Sequence, residues 1–374
     1  MTPTRAYVRG AVLDAVGEPV VVRALELIRP RAAEVRVRML ASGVCHSDLH
    51  VRDGEWDRPT PIVMGHEGAG IVEAVGPGVD SPRIGDLVAL SWLIPCGTCR
   101  SCRRGHVWAC PDSPSYRHAL LDGEIPFRTA HTGQPIRAYC AIGTMAEAVV
   151  VPAVAAIPVP PGTDPAVAAL IGCCVTTGVG AVLKTAAVPA GASVAVIGLG
   201  GVGLSCVMGA VVAGASRIVA VDRVASKLDA ATWVGATDTL LAEGDAASTV
   251  RALRDLTDGG PDFVFEAIGR PDTVELAIAA LPLGGTAVLV GLTPLGARAS
   301  FEAYPFVDGS RRILGSNYGF AVPAIDFPQY AAWTLDGRLP VGRLIDRRLG
   351  LDDVEEAFAA MRRGEYTRQV IDFG

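Results

Sequence analysis

Cys96, Cys99, Cys102 and Cys110 crowd into the stretch PCGTCRSCRRGHVWAC (95–110) of a chain that has nine cysteines in all. The spacing C-x2-C-x2-C-x7-C suits one tetrahedral zinc held by four thiolates. Arg100, Arg103 and Arg104 would offset the negative charge of such a centre. A four-thiolate site is closed, so it can staple a loop but cannot act as a Lewis acid on a substrate. Disulfides and an iron–sulfur cluster are the competing uses of these sulfurs, although the spacing matches none of the usual ferredoxin runs. Chemistry must then be sought elsewhere.

Three other segments carry the residue types of an open metal site. GVCHSDLH supplies Cys45, His46, Ser47, Asp48 and His50; GHEGAG supplies His66 and Glu67; LIGCCVTTG supplies Cys173, Cys174 and Thr177. Two cysteines and one histidine from separate segments would make a three-ligand zinc site with a vacant fourth position. Adjacent side chains on a helix diverge, so only one of Cys173 and Cys174 can face a given ion. Cys140 and Cys206 read as small apolar core residues.

A third constellation is VAVIGLGGVG (194–203), in which Gly198, Gly200 and Gly203 have G-x-G-x-x-G spacing, with Gly201 and Val202 inside the same turn. An apolar strand precedes it, a helical run follows, and RIVAVD brings Asp222 nineteen positions after Gly203. Glycines there let backbone approach a pyrophosphate, a helix N-terminus faces its charge, and the carboxylate accepts from ribose hydroxyls. Asp222 would repel a 2′-phosphate and favours NAD. Arg223, next to it, would instead welcome that phosphate, so NADP stays open.

These residues need elements to hold them. Up to about residue 160 the chain shows short alternating runs between Gly and Pro punctuation, a β-rich pattern. From 194 to about 317 apolar runs at 194–198, 217–222, 237–241, 262–267, 286–291 and 312–316 alternate with helical stretches. Six such strands fit a doubly wound parallel sheet of the α/β class. A mixed tail follows, with an acidic amphipathic helix near 352–364, and PVPPGTDP (158–165) reads as a hinge. At 374 residues, half of them apolar, two domains are expected. A net charge of −6 and a pI near 5.6 give no basic footprint for nucleic acid or an acidic membrane. The opening residues show no apolar leader, and the apolar stretches at 166–183 and 194–215 are broken by Gly, Ser and Thr. The expectation is a cytoplasmic enzyme, where clustered cysteines serve as metal ligands.

Taken in order, GVCHSD, GHEGAG, the four-cysteine lobe, LIGC-x-x-T-TG and GLGGVG resemble the zinc-dependent medium-chain alcohol dehydrogenases, and specifically their longer dimeric liver-type branch. The segment DGEIPFRTAHTGQPI (122–136) resembles that branch's extended loop. The resemblance implies a GroES-like catalytic domain at 1–175 with the structural zinc lobe at 95–111, a Rossmann NAD-binding domain at 176–318, and a return to the catalytic domain at 319–374. It implies a catalytic zinc on Cys45, His66 and Cys173, with Glu67 behind the metal and Asp48 orienting His66, and a structural zinc on the four clustered cysteines. It further implies NAD held by His46, Thr177, the glycine turn, Asp222, Arg223, Lys227, Val290 and Arg368, with Ser47 and His50 carrying the released proton. His46 stands where many relatives have Arg against the pyrophosphate, which implies a looser grip on the cofactor.

By the same alignment Trp92, Leu93, Ile142 and Leu292 would line a substrate channel suited to a primary or aromatic alcohol. A rival substrate is the formaldehyde adduct of a thiol such as glutathione or mycothiol. Pro114 stands where glutathione-type enzymes carry Arg, and only Arg117 lies nearby, which weighs against glutathione. A zinc-free reductase of the superfamily would lack both metal sets, and a non-catalytic zinc and NAD binder would have lost a ligand or the relay. Neither loss is seen. A homodimer joined through sheet edges near 290–318 is also implied.

Overall fold

The computed structural model describes residues 6–374. The chain divides into two compact units. The first runs to Cys173 and takes in Val322–Gly337 and Ile345–Gly374; the second comprises Cys174–Ala321 and Arg338–Leu344.

Two β systems make up the first unit. Strands Ala6–Leu13, Val21–Leu27, Phe127–Thr129, Pro135–Ala138 and Ile62–Val63 close into a small barrel. The 122–136 segment supplies a hairpin to that barrel, with Phe127 paired to Ile136. A seven-stranded sheet runs in the order Ala156–Pro158, Leu87–Leu90, Glu67–Val75, Glu34–Val44, Arg368–Asp372, Ile345–Leu349, with Ala148–Pro152 also paired to Glu34–Val44. Alternation of apolar residues such as Val35, Val37 and Met39 buries one face of the long strand in a shared core with Val72, Val88 and Val149.

The second unit is a six-stranded, all-parallel sheet ordered Asp238–Leu241, Arg217–Asp222, Ser193–Ile197, Phe263–Glu266, Thr286–Leu289, Arg312–Gly315. Numbered along the chain this is 3-2-1-4-5-6, an order of the doubly wound class expected from the sequence. Near-continuous apolar strands such as Ser193–Ile197 are what a sheet covered on both faces requires.

Two expectations need correction. The Pro/Gly segment 158–165 is no hinge between the units, because both its ends lie in the first. It is a turn that stops at Asp164, whose carboxylate caps the next helix by accepting from Ala166 and Val167 N–H at 2.7 and 3.4 Å. The dividing point lies further on, between Cys173 and Cys174, inside a 21-residue helical run, Pro165–Thr185. That run, with mean hydropathy 2.1, is long and apolar enough to span a membrane despite its glycines and threonines. It is nonetheless 89% buried within the protein. It is a core helix.

Candidate functional site

Sheet topology gathers the inner metal set. Cys45 follows the end of strand Glu34–Val44, Glu67 begins the antiparallel neighbour, and Arg368 begins the strand on the other side. Gly43 pairs with Glu67 on one flank and Val370 on the other, so all three side chains issue from one end of the sheet. Gly65, at φ +90°, makes the left-handed turn that delivers His66; a Cβ there would lie 2.6 Å from Met145 and Thr144. Cys173 arrives on a widened π-helical turn, Ile171–Val175. Gly172 lets that turn press on the sheet, since a Cβ at this position would stand 2.7 Å from the Leu90 carbonyl.

The resulting cluster is Cys45, His66, Glu67 and Cys173, all buried, with their potential ligand atoms within 4.8 Å of one another. Asp48 ties the set together. Its Oδ2 accepts from Cys45 N–H at 3.1 Å, and its Oδ1 accepts from Gly65 N–H at 3.2 Å and faces His66 Nδ1 at 3.1 Å. The far nitrogen, His66 Nε2, is buried without a hydrogen-bond partner. A buried ring nitrogen left bare beside two thiols, with its opposite nitrogen on a carboxylate, has the donor set and outer support of a zinc-binding histidine. The residues fit the metal.

The electrostatics agree. A hydrogen bond from Cys173, aided by His66, holds the Cys45 thiol well below its ordinary value against the cost of burial. Burial opposes charge on His66, yet Asp48 and Cys45 outweigh it and hold its pKa well above the ordinary value. Burial pushes Glu67 up to about 7, with Arg368 pulling the other way. Arg368 donates from Nη2 to Glu67 Oε2, while Glu67 Oε1 is buried and unpartnered. Gly43 makes room for this pair: a Cβ there would sit 2.0 Å from Glu67 Oε2 and 3.1 Å from Arg368 Nη2. The guanidinium expected on a pyrophosphate thus rests on a carboxylate of the metal cluster.

Ser47 and His50 lie on helix His46–Asp53. His50 Nδ1 is 2.7 Å from Glu55 Oε2, and its ring lies 4.7 Å from that of Trp56. Tyr139 donates to the Ser47 carbonyl at 3.5 Å and meets His66 edge-on at 5.4 Å between ring centres. Trp56 and Tyr139 were not singled out from the sequence. Neither sits in a motif, and only the tertiary fold brings Tyr139 to the metal set and Trp56 to His50. Of the expected channel residues, Leu93 and Ile142 are fully buried, Trp92 packs partly buried against the same core as Ile142, and Leu292 in the second unit is 60% exposed.

The outer cysteines form their own cluster, with sulfurs of Cys96, Cys99, Cys102 and Cys110 within 4.8 Å of one another. Sulfurs of Cys96 and Cys102 are 4.0 Å apart and those of Cys99 and Cys110 3.9 Å apart, and no disulfide joins any of the nine cysteines. Four sulfurs at about 2.3 Å from one zinc would be separated by roughly 3.8 Å. Backbone N–H groups of Cys96, Cys99 and Cys102 point at sulfurs of Cys110, Cys96 and Cys99, at 3.3–3.4 Å. Such donors favour thiolates, and backbone bonds from Thr98 and Cys99 bring Cys96 down to about 6.

In the second unit each glycine of the fingerprint has a distinct task. Gly198 has φ +91°, where a side chain would be strained, and a Cβ there would strike Ile268 at 2.3 Å. Gly203 packs helix Gly201–Ala213 on the turn so tightly that a Cβ would lie 1.7 Å from the Gly198 carbonyl. At Gly200, which caps that helix, a Cβ would meet nothing within 4 Å. Open space over the N-terminus of a thirteen-residue helix is where a pyrophosphate would rest. Asp222 Oδ2 accepts from Leu199 N–H at 2.8 Å and Oδ1 from Val224 N–H at 3.0 Å, which fixes the carboxylate beside the turn. Arg223 is exposed, Lys227 and Thr177 are half-buried, Val290 is buried, and His46 in the first unit is exposed.

Comparison with known proteins agrees with this construction. The alcohol dehydrogenase GroES-like domain family matches residues 31–161, and the zinc-binding dehydrogenase family matches residues 201–336. An alcohol dehydrogenase zinc-binding domain protein from Burkholderia ambifaria is 37% identical, with 99% of this chain and 100% of that one covered and a TM-score of 0.93. Benzyl alcohol dehydrogenase from Acinetobacter calcoaceticus is 30% identical, with 99% and 100% covered and a TM-score of 0.93. A putative zinc-binding dehydrogenase from Sinorhizobium meliloti, bound to NADP, is 27% identical, with 98% and 99% covered and a TM-score of 0.83.

Proposed function

This chain belongs to the zinc-binding alcohol dehydrogenases of the medium-chain superfamily, and from that premise we propose that it oxidises primary alcohols, aromatic ones included, to aldehydes with NAD, reversibly. The observation that carries the reading is the bare, buried Nε2 of His66 among the thiols of Cys45 and Cys173. Zinc bound there would supply the positive charge that eases loss of a hydroxyl proton, and a second zinc on the outer cysteines would staple its lobe.

The chain's own groups do the rest. Asp48 fixes the tautomer of His66, so that Nδ1 carries the proton and Nε2 offers its lone pair. Arg368 restrains Glu67, which keeps that carboxylate from filling the fourth position. Ser47 passes the substrate's proton toward His50, and Glu55 steadies the charge that His50 gains. Tyr139 gives ring surface beside His66, and Trp56 beside His50, which suits an aromatic alcohol, the substrate class named for the Acinetobacter relative. Asp222 supports NAD over NADP through its charge. Arg117, which a thiol adduct's carboxylate would need, donates to the Leu121 carbonyl of its own loop at 3.3 Å.

Purified protein should contain two zincs per chain and turn over benzylic and aliphatic primary alcohols with NAD. Full activity after selective removal of the inner metal would sink the proposal. Turnover confined to formaldehyde with a thiol, or to NADP, would replace the substrate or the cofactor.

A further inference from the structure

Glu266 ends the fourth strand of the parallel sheet, Phe263–Glu266, and is completely buried. It pairs in register with Ile197, the residue before the fingerprint glycine Gly198. One carboxylate oxygen accepts three hydrogen bonds, from Ile268 N–H at 3.0 Å, Gly269 N–H at 2.8 Å and Thr273 Oγ1 at 2.7 Å. Three donors converging on one oxygen favour the ionised form of a carboxyl group. The other oxygen, Oε2, is buried and has no partner. No basic side chain pairs with Glu266 among the described ion pairs. A carboxylate without a basic partner thus stands at the C-terminal edge of the sheet.

The position of that charge matters. Strands one and four are the neighbours at which the winding of the sheet reverses, and a dinucleotide straddles this point. Asp222, on strand two, marks the half that takes the adenosine ribose. Glu266 belongs to the opposite half, which faces the nicotinamide ribose and ring. The two redox forms of the cofactor differ there by one positive charge, carried on the oxidised ring.

We propose that Glu266 is a positioning residue that sets the preference of the site for oxidised over reduced nicotinamide. Its bonds to Ile268 and Gly269 hold the turn that packs Ile268 against Gly198. Its charge lowers the free energy of the cationic ring and leaves the neutral, reduced ring unaided. A single charge acting across a partly screened protein interior is worth roughly fivefold to twentyfold in such a preference. The inference rests on the NAD reading above, and the experiment separates the two.

Dissociation constants for NAD and NADH would be measured on the zinc-loaded protein by calorimetry and by NADH fluorescence. The native chain tests the reading itself: failure to bind either form would overturn the cofactor assignment. Glu266→Gln keeps the shape and an acceptor oxygen while removing the charge, and is expected to raise the ratio Kd(NAD)/Kd(NADH) about five- to twentyfold. Thr273→Val removes one donor and leaves the charge, and should shift both constants together with the ratio unchanged. An unchanged ratio in Glu266→Gln would overturn the proposal, as would equal changes in the ratio for both variants. Should Glu266→Gln fail to fold, Glu266→Asp, which retains the charge, should keep the native ratio; a loss of preference there would equally refute the charge argument.

Discussion

Asp48 shows how much one carboxylate can organise. It holds the backbone of Cys45, the backbone of Gly65 and the ring of His66, so the two ligand-bearing loops share one anchor. Replacing it with alanine should lower inner-site zinc and kcat/KM by about ten- to a hundredfold while the outer zinc stays bound; metal analysis per chain checks both halves. His118 makes a different residue-scale statement. It sits at φ +54°, buried, and its Nδ1 accepts from Cys140 N–H at 3.1 Å. Burial, with Arg58 and Arg137 nearby, presses its pKa down to about 4. The folded chain thus keeps His118 neutral where the unfolded chain takes up a proton. Stability is complete above about pH 6.5 and falls as pH drops toward 4, by up to about 3 kcal/mol from this group. Thermal melts across that window should lose this slope in His118→Gln.

The elements were the most legible part of the sequence. All six strands of the parallel sheet and the helix Gly201–Ala213 appear within two residues of where apolar runs and glycines place them, because buried parallel strands leave an uninterrupted apolar signature. The metal-set motifs were equally visible. What the sequence could not show was contact. Nothing local says that Arg368 lies on Glu67, three hundred residues away, or that Tyr139 turns its ring toward His66. The widened turn around Cys173 has no periodic signal either, since apolar residues occupy every face of that helix. The fingerprint allows a clean test of division of labour within one element. Gly200→Ala adds a methyl to open space and should leave the melting temperature unchanged while weakening cofactor binding. Gly203→Ala drives a methyl into the Gly198 carbonyl and should destabilise the fold itself. Similar melting temperatures for the two variants would contradict the assigned roles.

For the molecule as a whole, the exposed edge of the parallel sheet stands out. Arg312–Gly315 is the last strand and bonds to Thr286–Leu289 alone. In the stretch of chain leading up to it, Leu283, Leu295, Tyr304 and Val307 are 76–80% exposed. An open edge beside so much apolar surface is a liability unless covered. We propose that a second copy of the chain covers it, edge to edge. Light scattering should give about twice the 38.7 kDa chain mass, and Val307→Asp with Tyr304→Asp should halve it; a native monomer would refute the idea. The interior of the other sheet has a consequence of its own. Strand Arg368–Asp372 lies between Glu34–Val44 and Ile345–Leu349, so distant parts of the chain close one sheet. A chain cut before Arg368 would leave both neighbouring strands with an open flank and Glu67 without its guanidinium.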